Sequence, residues 1–406
     1  MTDRMPQGFG RDAAGRLLVA GKAAEDWVAK AGDTPLFLYD RALLTARVQA
    51  FRAAMPGALH LHFAVKANPL PALLAHMAGL VDGFDVASAG EMAKALATGM
   101  PAAHISFAGP GKRDRELEAA VRAGVALNVE SAGELDRLAV IAARLGLPAR
   151  VALRVNPPFA LKGSGMKMGG AASPFGVDAA AAVPLLRRMG EVPFRFEGLH
   201  LFAGSQNLSV DAILQSQRQS VALAADLLSE AGLQAPLVNL GGGFGVPYFP
   251  GDVALDLAAL GEGLGAILDA RPAVLANSRF ALELGRWLVA EAGVYLCRVV
   301  DRKQSGGETF LVTDGGLHHQ LAATGNFGTV IRRNYPVVNA SRSGGPEEIL
   351  SVVGCLCTPL DRLADKVSLP AGEVGDLIAL FMAGAYGRSA SPEAFLGHPP
   401  PLELLV

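Results

Sequence analysis

The sequence is poor in charge and has no block of like charges. Of its 406 residues 18% are charged, against roughly 25% in an average soluble chain, and the formal net charge is −2. Because no segment is strongly basic or acidic, neither nucleic acid nor a membrane surface is expected as a partner. Hydrophobic residues make up 51% of the chain, so a large core can form and wholesale disorder is excluded.

Long apolar runs and cysteines are also scarce. The longest uncharged stretch, 231–251, contains six glycines and three prolines, which excludes a membrane-spanning helix. The N-terminal segment lacks a continuous apolar run, so no secretory signal is expected. Three cysteines, two of them in the pair Cys355-x-Cys357, do not make a disulfide framework. A reducing, cytoplasmic location is therefore expected.

Short apolar runs alternate with segments of helical period over the first 290 residues. The eight candidate strands are Leu59–Val65, Gly83–Val86, His104–Phe107, Val125–Val129, Arg150–Val155, Phe196–Phe202, Leu237–Leu240 and Phe280–Glu283. Segments such as Ser88–Thr98, Asp114–Arg122, Ala132–Leu145 and Ser209–Ala231 are predicted to be helices. Eight such alternations favour an α/β fold of the (β/α)8 TIM-barrel type over a doubly wound sheet.

After about residue 290 the pattern changes to β-rich runs separated by turns. These runs are Val294–Val300, Phe310–Thr313, Glu348–Val353 and Asp376–Met382. They predict a second, mostly β C-terminal domain, so that residues 35–285 form the barrel and residues 1–34 with 286–406 form the β-rich domain. The early run Leu36–Tyr39 is a candidate to pair with that domain.

Several predicted barrel strands end in side chains that can do chemistry, and strand ends form the active face of a barrel. Lys66 follows the first strand between apolar neighbours, which favours a lowered pKa and Schiff-base chemistry, although a lysine that extends to solvent fits the pattern too. Polar residues at other strand ends are Asp85, Glu91, Arg154, Asn156, Ser205 and Gln206. Each of these alone also fits ordinary capping or a surface charge.

The last two strands lead into the most informative residues. Consecutive glycines in 241–245 leave backbone N–H groups for a phosphate, with a plain tight turn as the alternative. The spacing matches neither an NTPase P-loop nor the dinucleotide fingerprint. Glu283 can hold a protonated ring nitrogen, and Arg286 can bind a phosphate or carboxylate. A lysine, a phosphate loop, a carboxylate and two arginines at strand ends together predict a pyridoxal phosphate site.

These residues resemble the fold-type III pyridoxal phosphate-dependent decarboxylases, which include diaminopimelate and ornithine decarboxylases. The motifs in chain order are Ala64-Val-Lys66-Ala-Asn68, Gly83-Phe-Asp-Val-Ala-Ser-Ala-Gly-Glu91, Gly204-Ser-Gln206, Gly241-Gly-Gly-Phe244, Glu283-x-Gly-Arg286, Cys357-Thr-Pro-Leu-Asp361 and Gly384-Ala-Tyr386-Gly. The resemblance extends over residues 34–406. It is closest to the subgroup of natural-product and exosortase-associated decarboxylases.

The resemblance implies an alanine racemase-like barrel and a set of residue roles. Lys66 is expected to carry pyridoxal 5′-phosphate as a Schiff base and to act in catalysis together with Cys357. The other residues expected to bind the cofactor are Asp85, Arg154, Phe202, Ser205, Gly241, Gly242, Gly243, Glu283, Arg286 and Tyr386, with Glu91 in the surrounding polar shell. Those expected to bind substrate are Arg286, Thr358, Asp361 and Tyr386. Cys357 and Asp361 are similar to residues that reach the neighbouring subunit's site, which implies a homodimer with shared active sites.

Three positions depart from the family pattern. Phe202 stands where the family has a histidine stacked on the cofactor ring, and His200 lies two residues earlier on the same strand face. Leu284 replaces a proline, which leaves the flanking charged groups in place. Thr358 replaces the acidic residue that helps diaminopimelate decarboxylases to bind the distal amine. The segment 313–327 also differs from the diaminopimelate pattern.

The resemblance therefore implies a carboxy-lyase of the diaminopimelate decarboxylase type, which releases CO2 from an amino acid. The alternative substrate is an amino acid bound to a carrier protein, such as a glutamyl group. A racemase is a remote alternative, because its second base is normally a tyrosine rather than a Cys-x-x-x-Asp segment. A pyridoxal phosphate-homeostasis protein is another, but it would lack the second domain.

A zinc site formed by Cys355, Cys357, His318 and His319 is a further hypothesis. The Cys-x-Cys spacing is shorter than the usual knuckle, and adjacent histidines rarely both reach one ion. Ordinary packing is the favoured interpretation, so no metal is expected.

Overall fold

The computed structural model describes residues 5–163, 165–167, 169–170, 172–325 and 333–406. The chain divides into two compact units. The barrel unit comprises Arg47–Val246 and Val253–Trp287. The β-rich unit comprises the described residues up to Ala46, together with Pro247–Asp252 and Leu288–Val406.

Eight parallel strands close the barrel in the order in which they follow one another in the chain. The first to eighth barrel strands are Leu59–Ala64, Gly83–Val86, Ile105–Phe107, Ala126–Val129, Ala149–Asn156, Phe194–Leu201, Leu237–Asn239 and Arg279–Leu284. The eighth strand pairs with the first and places Glu283 opposite His62. The predicted barrel is confirmed, with differences only at the strand ends. Three two-residue strands lie beside it, namely Met166–Lys167, Val177–Asp178 and Gly204–Ser205.

Helices flank and connect these strands, and capping residues mark the ends of several of them. They are Arg41–Ala54, Pro71–Ala78, Ala89–Ala97, Asp114–Ala123, Ala132–Leu145, Ala179–Met189, Val210–Ala231, Leu257–Asp269 and the short Arg286–Val289. The hydroxyls of Ser88 and Ser131 accept hydrogen bonds from the third residue of the helix that each precedes. Gly146 ends its helix in the left-handed conformation that glycine adopts most readily. The helices predicted from periodicity are confirmed.

A central 13-residue strand, Gly293–Ser305, organises the β-rich unit. It pairs with Leu36–Tyr39, Glu308–Thr313 and Leu377–Phe381. The remaining strands are Gly10–Arg11, Leu17–Val19, Lys22–Ala23, Val337–Asn339, Glu347–Val353, Arg362–Pro370 and Leu402–Leu405, and the helix of this unit is Ala24–Ala31. Short 3-10 turns in the two units are Val65–Ala67, Ala102–His104, Ala273–Leu275, Ala290–Ala292, Leu321–Thr324, Arg388–Ala390 and Phe395–Gly397.

Two segments inside the expected barrel range 35–285 belong to the β-rich unit. Leu36–Tyr39 is buried along its whole length because it lies between Gly293–Leu296 and Leu402–Leu405. Pro247–Asp252 belongs there because the Tyr248 and Phe249 rings pack on Tyr335, with ring centroids 4.9 and 6.0 Å apart. Apolar sequence alone does not reveal which sheet such a segment joins. No helix in the described ranges is both long and apolar enough to cross a bilayer.

A buried ion pair joins two strand–helix units of the barrel. Lys112 Nζ lies 2.8 Å from Glu134 Oε1, and these two side chains are 1% and 2% exposed. The same ammonium donates hydrogen bonds to the carbonyls of Gly109 and Asn128. Burying a charge is costly unless it is paired, so removing one partner leaves the other uncompensated.

We expect Lys112→Met to lower the free energy of unfolding by about 3–5 kcal/mol, because it leaves Glu134 as an unpaired buried anion. The matched control is Arg137→Met, which removes a surface pair with Asp114 whose side chains are 40% and 70% exposed. The control should change stability by less than about 1 kcal/mol. Urea unfolding followed by circular dichroism measures both changes. Equal shifts in the two variants would contradict this interpretation of the buried pair.

Candidate active site

Lys66 lies at the carboxyl end of the first barrel strand. The strand ends at Ala64, and the next turn, Val65–Ala67, is a single 3-10 turn with Lys66 at its centre. The lysine side chain is 47% exposed, and its Nζ lies 3.4 Å from Glu283 Oε1 and 5.6 Å from the centroid of the Phe202 ring. The apolar flanks therefore do not bury this amine, which is open to an incoming aldehyde and is oriented by a carboxylate.

Glu283 is the buried anion of the site. It lies on the eighth strand, its side chain is 6% exposed, and its Oε2 is 3.1 Å from His200 Nε2. Burial alone would raise the pKa of this carboxyl group, but Lys66, His200 and Arg154 outweigh burial and hold the pKa well below its usual range. Glu283 therefore stays ionised and can hold a protonated ring nitrogen.

His200 and Phe202 share one face of the sixth strand and its continuation, as the two-residue period of a strand requires. Their ring centroids are 6.4 Å apart with an interplanar angle of 70°. His200 is buried against Glu283, whereas Phe202 flanks the Lys66 amine. The histidine therefore acts on the carboxylate, and the phenyl ring is available to stack on a bound ring.

A second polar chain runs across neighbouring strands inside the barrel. His62 Nδ1 lies 3.3 Å from Asp85 Oδ2, the Ser106 hydroxyl donates to Asp85, and Asn128 Nδ2 lies 3.1 Å from Ser106 Oγ. Burial opposes the charge of His62, but Asp85 and Glu283 outweigh it and raise the pKa of His62. The Asp85 carboxylate thus compensates for the charge of the buried His62. His62 lies on the first strand, which pairs with the strand that carries Glu283.

Arg154 and Glu91 lie in the polar surroundings of these groups. Arg154 Nη1 is 2.9 Å from Glu130 Oε1, and the guanidinium lies 5.1 Å from the centroid of the Phe175 ring. Burial raises the pKa of the Glu130 carboxyl group. The nearby Arg154 and Lys112 outweigh burial, so the net effect is a lowered pKa. Glu91 accepts a hydrogen bond from the backbone of Ala87, and burial raises its pKa.

The glycine loop after the seventh strand has the form of an anion-binding loop. The backbone N–H groups of Gly242 and Gly243 donate no hydrogen bond to any residue that the structure describes. A Cβ atom at position 242 would lie 2.2 Å from the Glu283 carbonyl oxygen, so only glycine allows this close approach. Two buried N–H groups without acceptors beside a strand end fit a phosphate.

The other predicted cofactor residues of the barrel unit lie at strand ends. Ser205 belongs to the two-residue strand Gly204–Ser205 and pairs with Met166. Gln206 follows with a positive φ of 58°, and its side chain bonds to both backbone groups of Val246. Arg286 is half-buried and begins the short helix after the eighth strand.

The remaining predicted residues belong to the β-rich unit. Cys357 is exposed and Thr358 is half-buried in the segment between two strands. Asp361 is buried and accepts hydrogen bonds from the backbone N–H groups of Leu317 and Leu356. Tyr386 has a φ of +53°, an unfavourable conformation for a residue with a side chain and one that is common at functional sites.

The barrel residues fit pyridoxal 5′-phosphate. In this fit, Gly242 and Gly243 would supply N–H groups for its phosphate, Glu283 would supply the anion for its ring nitrogen, and Lys66 would supply an accessible amine for its aldehyde. His62, His200 and Glu130 complete this polar set, although the sequence interpretation assigned them no role. The signal in the sequence that could have found them was that each barrel strand contains a polar side chain. A single histidine on an apolar strand is usually a core residue, so this signal does not by itself indicate a functional role.

Comparison with known proteins agrees with this fit. Residues 41–290 match the family described as pyridoxal-dependent decarboxylase, pyridoxal binding domain. The chain is 38% identical over 384 residues to the L-glutamyl-[BtrI acyl-carrier protein] decarboxylase of Niallia circulans, with 92% of this chain and 89% of that protein covered. It is 32% identical to the diaminopimelate decarboxylase of Neisseria meningitidis serogroup A, with 89% and 87% covered.

Solved structures agree as well. The diaminopimelate decarboxylase of M. jannaschii has a TM-score of 0.89 at 26% identity, with 98% of this chain and 92% of that chain covered. That of Helicobacter pylori in complex with L-lysine has a TM-score of 0.84 at 27% identity, with 94% of each chain covered.

The pH dependence of stability should reveal the His62–Asp85 pair. A raised folded-state pKa means that the stabilising contribution of His62 is complete below about pH 6.5 and disappears as the pH rises through the folded value. The stability difference between the protein and His62→Gln should therefore shrink with rising pH, as measured by urea unfolding at several pH values.

His60 on the same strand is the matched control. Burial lowers the pKa of His60, so its neutral form is favoured in the folded state. The His60→Gln difference should change with pH in the opposite direction. If the stability differences of the two variants changed with pH in the same direction, the interpretation that Asp85 raises the pKa of His62 would be contradicted.

Proposed function

Because this chain belongs to the pyridoxal-dependent decarboxylases, we propose that it decarboxylates an L-amino acid carried on an acyl-carrier protein. Pyridoxal phosphate-dependent decarboxylation of an amino acid is its activity, as for its relatives. The carrier-bound, glutamyl-type substrate is the finer proposal. The observation that carries it is the higher identity to the glutamyl carrier-protein enzyme than to the diaminopimelate decarboxylases.

The chain's own residues account for the charge and proton demands of this reaction. The bound cofactor supplies the sink for the electron pair that remains when CO2 leaves. Glu283 stays ionised and so keeps a proton on the ring nitrogen, while His200 fixes the carboxylate from its other side. The proton that Cα then needs comes from the Lys66 amine or the Cys357 thiol.

The chemistry of the substrate limits how a carrier is attached. The α-amine must be free to react with the cofactor, and the α-carboxylate must be free to leave. A glutamyl group is therefore attached through its distal carboxyl, which removes the charge at that end. The neutral Thr358 is consistent with such an end, since a distal ammonium would call for an acidic partner.

Release of labelled CO2 from the α-carboxyl group tests this proposal. We expect glutamyl-carrier protein to exceed free glutamate, ornithine, arginine and meso-diaminopimelate by about 100-fold or more in kcat/KM, because specificity comes from the distal end. A kcat/KM above ~10⁴ M⁻¹s⁻¹ for meso-diaminopimelate would overturn the proposal that the substrate is bound to a carrier protein.

A substitution at Thr358 tests the same end of the substrate. Thr358→Glu should reduce kcat/KM for the carrier substrate by about tenfold, because the new carboxylate has no partner there. Thr358→Ser keeps the hydroxyl and is the matched control, which should retain most activity. Equal activity of the two variants would exclude Thr358 as a specificity residue.

We also propose a homodimer in which each subunit supplies Cys357 to its partner's site. Two-fold symmetry makes such an exchange reciprocal. The proposal is supported by the motif Cys357-Thr-Pro-Leu-Asp361, whose thiol is exposed in the isolated chain. A reducing cytoplasmic location stays a prediction, to which the three free cysteines conform.

Mixing two inactive variants tests the shared site. Randomly exchanged Lys66→Ala and Cys357→Ala subunits should recover roughly a quarter of wild-type activity, since half of the dimers then contain one intact site. The control is each variant exchanged with itself, which should stay inactive. Lack of recovery after exchange has been verified by mass spectrometry would contradict the proposal.

A further inference from the structure

We propose that the β-rich unit carries a zinc-binding site formed by His318, Cys355 and His398. One thiol sulfur and one nitrogen from each imidazole all lie within 4.8 Å of one another. Cys355 Sγ is 3.8 Å from His398 Nδ1 and 3.9 Å from its Nε2. In a tetrahedral zinc site such ligand atoms are roughly 3.3–3.6 Å apart, so a shift of about an ångström closes this set.

His318 is the observation that points to a ligand. Its side chain is 0% exposed, and neither ring nitrogen has a hydrogen-bond partner among the described residues. A buried polar group without a partner costs folding free energy, and native proteins rarely leave one. The His318 ring lies 5.2 Å from the His398 ring, centroid to centroid. A bound cation would satisfy one of its two ring nitrogens.

The adjacent His319 has a different role. Its Nδ1 lies 3.1 Å from the Tyr295 hydroxyl and its Nε2 lies 3.0 Å from the carbonyl of Pro399. Because a carbonyl can only accept, Nε2 carries the proton and Nδ1 accepts from Tyr295. Both ring nitrogens of His319 are therefore hydrogen-bonded. Through its hydrogen bond to Pro399, His319 holds the residue next to His398 in place. This division of roles explains how adjacent histidines can serve one site without both binding the ion.

Asp361 holds two of the ligand-bearing loops together. Its carboxylate accepts hydrogen bonds from the backbone of Leu317 at 2.6 Å and Leu356 at 2.9 Å, the neighbours of His318 and Cys355. A Cβ atom at Gly354 would lie 2.2 Å from this carboxylate, so a side chain there would displace it. Outer-shell contacts of this kind orient metal ligands before the ion binds.

The ligand set selects the cation and leaves one coordination position open. One thiolate and two neutral imidazoles suit Zn²⁺, which takes four ligands in a tetrahedron. Cys355 also lines a cavity of about 470 Å³ together with Phe310 and Thr358, so water or a small anion can reach the fourth position. Without the ion the thiol points at the Asp314 carbonyl, 3.5 Å away, and metal binding releases the thiol proton.

Metal analysis of the tag-free holoenzyme tests this proposal. After chelation and equilibrium dialysis against Zn²⁺, the protein should hold one zinc per chain. Cys355→Ser and His318→Ala should each weaken zinc binding by about 100-fold or more. Loss of an outer-shell partner alone costs up to about 100-fold, and loss of a ligand should cost at least as much. Cys357→Ser, a thiol two residues away, is the matched control and should keep the full zinc content.

Substitution by Co²⁺ reports directly whether a thiolate is a metal ligand, first of all in the unmodified protein. The unmodified protein and Cys357→Ser should show the near-ultraviolet thiolate-to-cobalt charge-transfer band, whereas Cys355→Ser should lack it. Absence of this band from the unmodified protein would overturn the proposal. So would its loss in Cys357→Ser with retention in Cys355→Ser.

Discussion

The buried carboxylate of Glu283 is the group on which the arrangement of the site depends. An ionised carboxylate inside a barrel needs partners that compensate for the lost hydration, and here the Lys66 ammonium lies against Oε1 and the His200 imidazole against Oε2. The backbone of the same residue shapes the glycine loop, because its N–H donates to the Gly241 carbonyl at 2.7 Å and its carbonyl excludes any side chain at Gly242. In the proposed cofactor site, one strand therefore sets both the ring end and the phosphate end.

The same arrangement shows why the sequence predicts that these residues lie together. Lys66, Glu283 and the glycine loop each follow an apolar strand directly, and parallel barrel strands bring such positions to one face. The sequence left two alternatives for the exposure of Lys66, a partly desolvated amine and a side chain that extends to solvent. Its apolar neighbours suggested desolvation, yet the side chain is half exposed because it leaves the barrel on a 3-10 turn.

Contacts between distant strands were not predictable from the sequence. The partnership of His62 with Asp85 depends on barrel register, and a lone histidine in an apolar strand fits a core position equally well. The strand Arg362–Pro370 was missed because its polar alternation, typical of an edge strand, looks like a loop. His398 lies in an irregular segment that no local pattern connects with Cys355. Such features depend on tertiary structure rather than on local propensity.

The protonation state of the cofactor ring tests the central claim, that Glu283 is a permanent buried anion. The measurement is the ¹⁵N chemical shift of the ring nitrogen in the holoenzyme reconstituted with ¹⁵N-labelled pyridoxal phosphate. The ring nitrogen should be protonated across the pH range in which the protein is folded, and unprotonated in Glu283→Gln. An unprotonated ring nitrogen in the unmodified enzyme, or an unchanged shift in Glu283→Gln, would contradict this claim.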